Sequence, residues 1–254
     1  MADKKIKWFW TNLNKPKDGK VKDGKIEIKV GGQTHVFKKG AEDDKVTANA
    51  PFYFRKVTGD FECTVKITSK TKMDGWLDQC GIMFQEKRGI YAKLALEFQK
   101  PPREENNKYY VAAYVHSADT LEKEVESKTP YPGQSSTGDK NYAYVQLEDD
   151  QEKNLWLRMS RLAGFIEAEY SFVGGADESN WTQLKAQRFS DAEQFSVGLF
   201  ASSPLADHDG FKAVLSDFDI EATIYVDDDD EEGGGEGAVP AEEVAAANEK
   251  DDSE

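Results

Sequence analysis

The sequence predicts an all-β protein, a sandwich or barrel of antiparallel strands, and three observations carry that prediction. Short segments in which apolar and polar residues alternate with period 2 follow one another along most of the chain. Glycines such as Gly24, Gly31, Gly32, Gly59, Gly89, Gly164, Gly174 and Gly175 punctuate the intervals between them. No window before residue 227 shows a convincing 3.6-residue amphipathic period. About a dozen short strands separated by turn signals leave little room for another class.

The first clear strand is Lys25 to Val30, with Ile26, Ile28 and Val30 on one face. Asp60 to Ile67 repeats the pattern with Phe61, Cys63, Val65 and Ile67, and Cys80, Ile82 and Phe84 form one face of the next segment. The only two cysteines therefore read as small core residues rather than a redox pair. Tyr91 to Phe98 turns Leu94, Leu96 and Phe98 inward and Tyr91, Lys93 and Glu97 outward. Tyr109 to His116 and Tyr142 to Leu147 read as strands. Leu155 to Ser160 puts Leu155, Leu157 and Met159 on one face and Trp156 and Arg158 on the other. Phe165 to Phe172 puts Ile166, Ala168, Tyr170 and Phe172 opposite Glu167 and Glu169. Gln194 to Ala201 and Phe211 to Val226 close the set. Gln99–Lys108, with Pro101 and Pro102, and Thr129–Lys140 read as loops. Leu121 to Lys128 fits a helical turn or a hairpin tip equally well.

Charge divides the chain. Residues 227–254 hold thirteen acids and one Lys, which is −12 of the formal −15. A segment this charged, with almost no large apolar side chain, cannot bury enough surface to offset the entropy of ordering. It is expected to be a disordered, solvated acidic tail behind a single domain at 1–226. Residues 1–39 carry eleven Lys against four acids. They read as the exposed faces of strands and turns, with salt-screened contact to the tail as the sharper alternative. Nucleic-acid binding is not expected, because this basic segment lacks Arg and the overall charge repels phosphate.

The chain opens Met1-Ala2-Asp3-Lys4-Lys5 without an apolar leader, and no stretch approaches the ~18 apolar residues of a membrane span. A cytoplasmic protein with reduced thiols and no membrane partner is expected. In that setting the sequon Asn180-Trp181-Thr182 carries no meaning. No cofactor is implied. His35, His116 and His208 are far apart in sequence with no ligand spacing, so no metal site is expected. Asp74 and Asp78, and Asp207 with Asp209, read as turn-forming acids rather than a calcium cage.

Asp78-Gln79-Cys80-Gly81-Ile82-Met83, followed by Tyr91-Ala92-Lys93-Leu94-Ala95-Leu96-Glu97, resembles paired strands of a known group. It is a domain family of unknown function in the concanavalin A-like lectin/glucanase superfamily, often labelled "regulation of enolase protein"-like. Further matches follow in order. They are Leu157 to Arg161, Tyr170-Ser171 with Trp181, Val197-Gly198-Leu199-Phe200-Ala201-Ser202-Ser203-Pro204, and Phe211 to Ile220. Tyr91 stands where the family has Trp, Ala95 where it has Gly, and Ser117-Ala118-Asp119-Thr120 lacks the family's Trp. The matches span roughly residues 8–226. The resemblance implies a two-sheet antiparallel jelly-roll sandwich with one concave face.

In sandwiches of that superfamily, ligands occupy the concave sheet. The outward-facing set would line it: Gln79, Tyr91, Lys93, Glu97, Trp156, Arg158, Glu167 and Glu169. Carboxylates, an amide, cations and a Trp suit hydrogen bonding to a polyhydroxylated ligand with ring stacking. A solvated face of ion pairs, Lys93–Glu97 or Arg158–Glu167, is the competing reading. The expected function is non-catalytic binding of a glycan or another small polar ligand. The alternative is a protein-interaction or regulatory module acting through the sheet surface or the acidic tail. A carbohydrate-active hydrolase ranks third. Glu167 and Glu169 give a carboxylate pair about 6–7 Å apart on one strand face, but glucanases of this fold use E-x-D-x-E and Ala168 holds the middle place.

Overall fold

The protein is described from a computed structural model covering residues 8–12, 18–36, 38–39, 46–68, 70–87, 89–99, 108–116, 141–148, 150–205, 207–225 and 239–240. Sixteen strands run in antiparallel pairs, and no α-helix occurs among the described residues. No described helix is long and apolar enough to cross a membrane. In chain order come β1 (Phe9–Thr11), β2 (Gly19–Lys22), β3 (Lys25–Val30), β4 (Lys38–Lys39), β5 (Val46–Thr47) and the long β6 (Phe52–Ile67). Then follow β7 (Gln79–Lys87), β8 (Ile90–Gln99), β9 (Lys108–His116), β10 (Tyr142–Gln146) and the hairpin of β11 (Trp156–Leu162) with β12 (Phe165–Ser171). β13 (Thr182–Arg188), β14 (Gln194–Ser202), β15 (Phe211–Tyr225) and β16 (Val239–Pro240) complete the set.

β6 builds the two-layer sandwich by belonging to both sheets. Its first half, Phe52 to Thr58, pairs with β14 on one edge, and Phe52 to Phe54 pair with β1 on the other. Its second half, Phe61 to Lys66, pairs with β11, and β15 runs along the opposite edge. Gly59 sits between the halves at φ 81°, a left-handed conformation that costs glycine nothing. The first sheet is therefore ordered β10-β9-β8-β7-β14-β6-β1, and the second β2-β3-β15-β6-β11-β12-β13. β4 and β5 pair with each other.

The inner faces meet in one core. Cys80, Ile82, Phe84, Leu94 and Leu96 of the first sheet face Cys63, Val65, Leu157, Met159 and Ala168 of the second, all almost fully buried. Each large aliphatic or aromatic side chain so buried contributes about 1.5–3 kcal/mol. Both cysteines are free and sealed in this core, and burial pushes their thiols well above the usual range. Every strand read from alternation is present, with ends shifted by a few residues.

Alternation did not reveal the first half of β6 or β13. Phe52, Tyr53 and Phe54 are all buried, because Tyr53 enters the main core while Phe52 and Phe54 join a second apolar cluster on the sheet's other face. Two-sided burial erases period 2. β13 reads Thr-Gln-Leu-Lys-Ala-Gln-Arg and is the polar, mostly exposed edge of its sheet.

The acidic segment 227–254 lies outside the described residues except for β16. There Val239 and Pro240 pair with Trp10 and Phe9. β1 pairs with β6 along one edge, and Val239 and Pro240 take up the backbone groups of its other edge. Of the loop read at Gln99–Lys108, Gln99 ends β8 and Lys108 begins β9, while 100–107 lie outside the described residues, as do the loop read at 129–140 and Leu121 to Lys128.

Candidate ligand-binding face

The eight predicted residues separate into two groups of four. Gln79 of β7 and Tyr91, Lys93 and Glu97 of β8 lie on the outer face of the first sheet. Trp156 and Arg158 of β11 and Glu167 and Glu169 of β12 lie on the outer face of the second. The core runs between the two sets. A single surface lined by all eight is therefore corrected. Alternation fixes which side of a strand a residue takes, but not which sheet the strand joins.

The first group converges. The register sets Gln79 opposite Glu97 and Met83 opposite Lys93. Lys93 Nζ donates to Glu97 Oε1 at 2.9 Å and also to Gln79 Oε1. Glu97 Oε2 accepts from the Tyr142 hydroxyl at 3.1 Å, and Gln99 Nε2 lies 3.4 Å from both. Lys93 is 8% exposed and Glu97 3%, so each charge needs the other. Burial, and then the Glu97 carboxylate, push the Tyr142 phenol far above its usual range and keep it a proton donor.

Rings surround this cluster. Tyr91 lies 6.1 Å from Tyr114 and 5.4 Å from the His116 imidazole, stacked in the second case. Tyr142 lies 6.3 Å from Tyr114 and 5.4 Å from Tyr144, and Tyr144 packs edge-on to Tyr110 at 5.8 Å. Tyr144 is 42% exposed, whereas Tyr142 and Tyr114 are half-buried. The other half of the face is apolar, formed by Phe9, Phe52, Phe54, Met83 and Phe200 with Val36 against them. The sequence reading missed Tyr110, Tyr114, Tyr142, Tyr144 and Gln99. The signal was available, since alternation through β9 and β10 places these tyrosines on one side.

In the second group, Arg158 and Glu169 belong to a charge network that Glu178 and Trp181 complete. Arg158 Nε donates to Glu169 at 2.7 Å, its two terminal nitrogens grip Glu178, and its guanidinium lies 4.4 Å above the Trp181 ring. The partner is Glu169 rather than the expected Glu167, which accepts instead from Gln183. Ala168 is buried between the two acids. Hydrogen bonds from Arg158 hold the Glu178 carboxyl below the usual range. Arg158→Ala is expected to cost about 1–2 kcal/mol in a thermal melt, because the Glu178 arm is solvent-exposed and such pairs are weak.

The histidines divide likewise. His116 is buried with Nδ1 against the Gly89 carbonyl, and His35 is held through its backbone by Asn49. His208 instead meets two carboxylates that the sequence had assigned to turns.

The fold is an antiparallel two-sheet β-sandwich, and its first sheet carries a polar, aromatic outer face. Residues 10–117 match a family described as a protein of unknown function, DUF1349. No curated relative matches the chain. The structure is similar to a functionally unknown protein from Saccharomyces cerevisiae, with 16% identity, a TM-score of 0.59 and coverage of 85% of this chain and 96% of that one. A legume lectin-like domain from Entamoeba histolytica is similar at 11% identity, TM-score 0.47, covering 85% and 90%. A GH43 glycoside hydrolase follows at 14% identity and TM-score 0.49, with 80% of this chain on 35% of that one. The enolase-regulation label has no counterpart among these matches.

Proposed function

We propose that this protein is a non-catalytic binding module that holds a glycan or another small polyhydroxylated molecule on the outer face of its first sheet. One observation carries the reading. The exposed Tyr144 ring continues through Tyr142 into a cluster of ammonium, carboxylate and amide groups, with the Tyr142 hydroxyl bonded to Glu97. A ring offers a flat apolar surface to the C–H face of a sugar, and carboxylate, amide and ammonium groups serve its hydroxyls.

The test is a glycan array probed with the full chain, followed by calorimetry on the best binder. Tyr144→Ala removes an exposed ring and should leave the melting temperature in place while weakening binding about tenfold or more, which is 1.4 kcal/mol. Arg158→Ala should leave binding unchanged. An array without signal, or binding lost in Arg158→Ala and kept in Tyr144→Ala, would overturn the proposal.

A further inference from the structure

We propose that Asp74, Asp78 and His208 form a binding site for one divalent transition-metal cation of the zinc type. The three are far apart in sequence, and the sheet brings them together. β7 and β14 are neighbours with Gln79 opposite Ser202, so the turn before β7 and the loop after β14 emerge side by side. One donor atom from each of the three residues lies within 4.8 Å of the others. A single ion with metal–ligand distances of about 2.0–2.2 Å spans such a set with small side-chain adjustments.

The cluster grades from solvent to core. Asp74 has an 84% exposed side chain at the lip, His208 is mostly buried, and Asp78 is 0% exposed at the floor. His208 Nε2 donates to Asp74 Oδ1 at 2.7 Å, while Nδ1 accepts from the Gly210 N–H at 3.0 Å. Asp78 Oδ2 accepts from the Gly75 N–H at 2.9 Å. Asp78 Oδ1 is different. It is buried, aimed at the imidazole, and without a hydrogen bond of normal geometry. His208 Nδ1 is 3.7 Å away, too far to serve it. The Ser203 hydroxyl sits between that nitrogen and the carboxyl, and its one proton serves one of them at a time.

A buried carboxylate oxygen whose nearest donor is one shared hydroxyl is under-served, and that is costly. A cation at the cluster supplies the partner and replaces the proton that His208 shares with Asp74. Two carboxylates and an imidazole suit zinc and its neighbours, which take mixed nitrogen and oxygen donors. They suit calcium poorly, since it collects six to eight oxygens.

The experiment is calorimetric titration of the chelator-stripped full chain with Zn²⁺, in excess Mg²⁺ to occupy the acidic segment 227–254. The expected result is one saturable zinc per chain and a raised melting temperature. His208→Gln and Asp74→Asn, both changed at residues with solvent contact, should each weaken this zinc by at least about tenfold, with unchanged circular dichroism. Asp78→Asn should do the same where it folds. Absence of a saturable zinc, or a zinc that binds His208→Gln and wild type equally, would overturn the proposal and identify the cluster as a proton-bonded clamp between two loops.

Discussion

Glu97→Leu should lower the unfolding free energy by about 3 kcal/mol, the scale for breaking a buried ion pair by removing one partner. The substitution leaves the Lys93 ammonium at 8% exposure without its carboxylate and takes the acceptor from the Tyr142 hydroxyl. In a domain of this size that corresponds to a fall of about 6–12 °C in Tm. The companion change makes the cause testable. Lys93→Met combined with Glu97→Leu should be more stable than Glu97→Leu alone, because the stranded charge has gone. A double-mutant cycle then reports a coupling well above the few tenths of a kcal/mol typical of independent sites. Equal loss in the single and double variants would mean that the pair does not act as a unit.

Gly198→Ala should be comparably damaging for a purely steric reason. A Cβ at residue 198 would fall 1.9 Å from the Tyr53 carbonyl oxygen and 2.6 Å from the Phe54 Cα, both backbone atoms of the adjacent strand. Gly81 has the same problem, with the Leu94 carbonyl oxygen 2.1 Å from its virtual Cβ. Neither obstacle can rotate away, so β14 and β6, or β7 and β8, would have to part. Overpacking of this kind costs about 3 kcal/mol. Chemical denaturation should show a lower midpoint with an unchanged slope. A stability loss below about 1 kcal/mol would show that the strands yield freely.

Much of the fold was legible because alternation is a local property. The inward turn of Cys80, Ile82 and Phe84, and the outward turn of Lys93 and Glu97, follow from side-chain direction along one strand. The predicted site was legible only as far as a hairpin reaches. Gln79, Tyr91, Lys93 and Glu97 come together because β7 and β8 are consecutive and paired. Trp156 and Arg158 were placed beside them in error. Their sheet is decided by β6, which gives one half to β14 and the other to β11, and no local pattern records that division. The meeting of His208 with Asp74 and Asp78 was hidden in the same way, since it depends on the register of β7 with β14. The tyrosines of β9 and β10 were a different kind of miss. Their parity was readable, and they were read as strand residues rather than as a surface.

Ring-resolved NMR tests ligand binding at the outer face of the first sheet directly. With tyrosine and tryptophan rings isotopically labelled, the oligosaccharide selected on the array is titrated into the full chain. Binding at this face predicts saturable shifts for Tyr144, Tyr142 and Tyr114 with Trp156 and Trp181 unmoved. Shifts confined to Trp156 and Trp181 would place the ligand on the opposite sheet and contradict it.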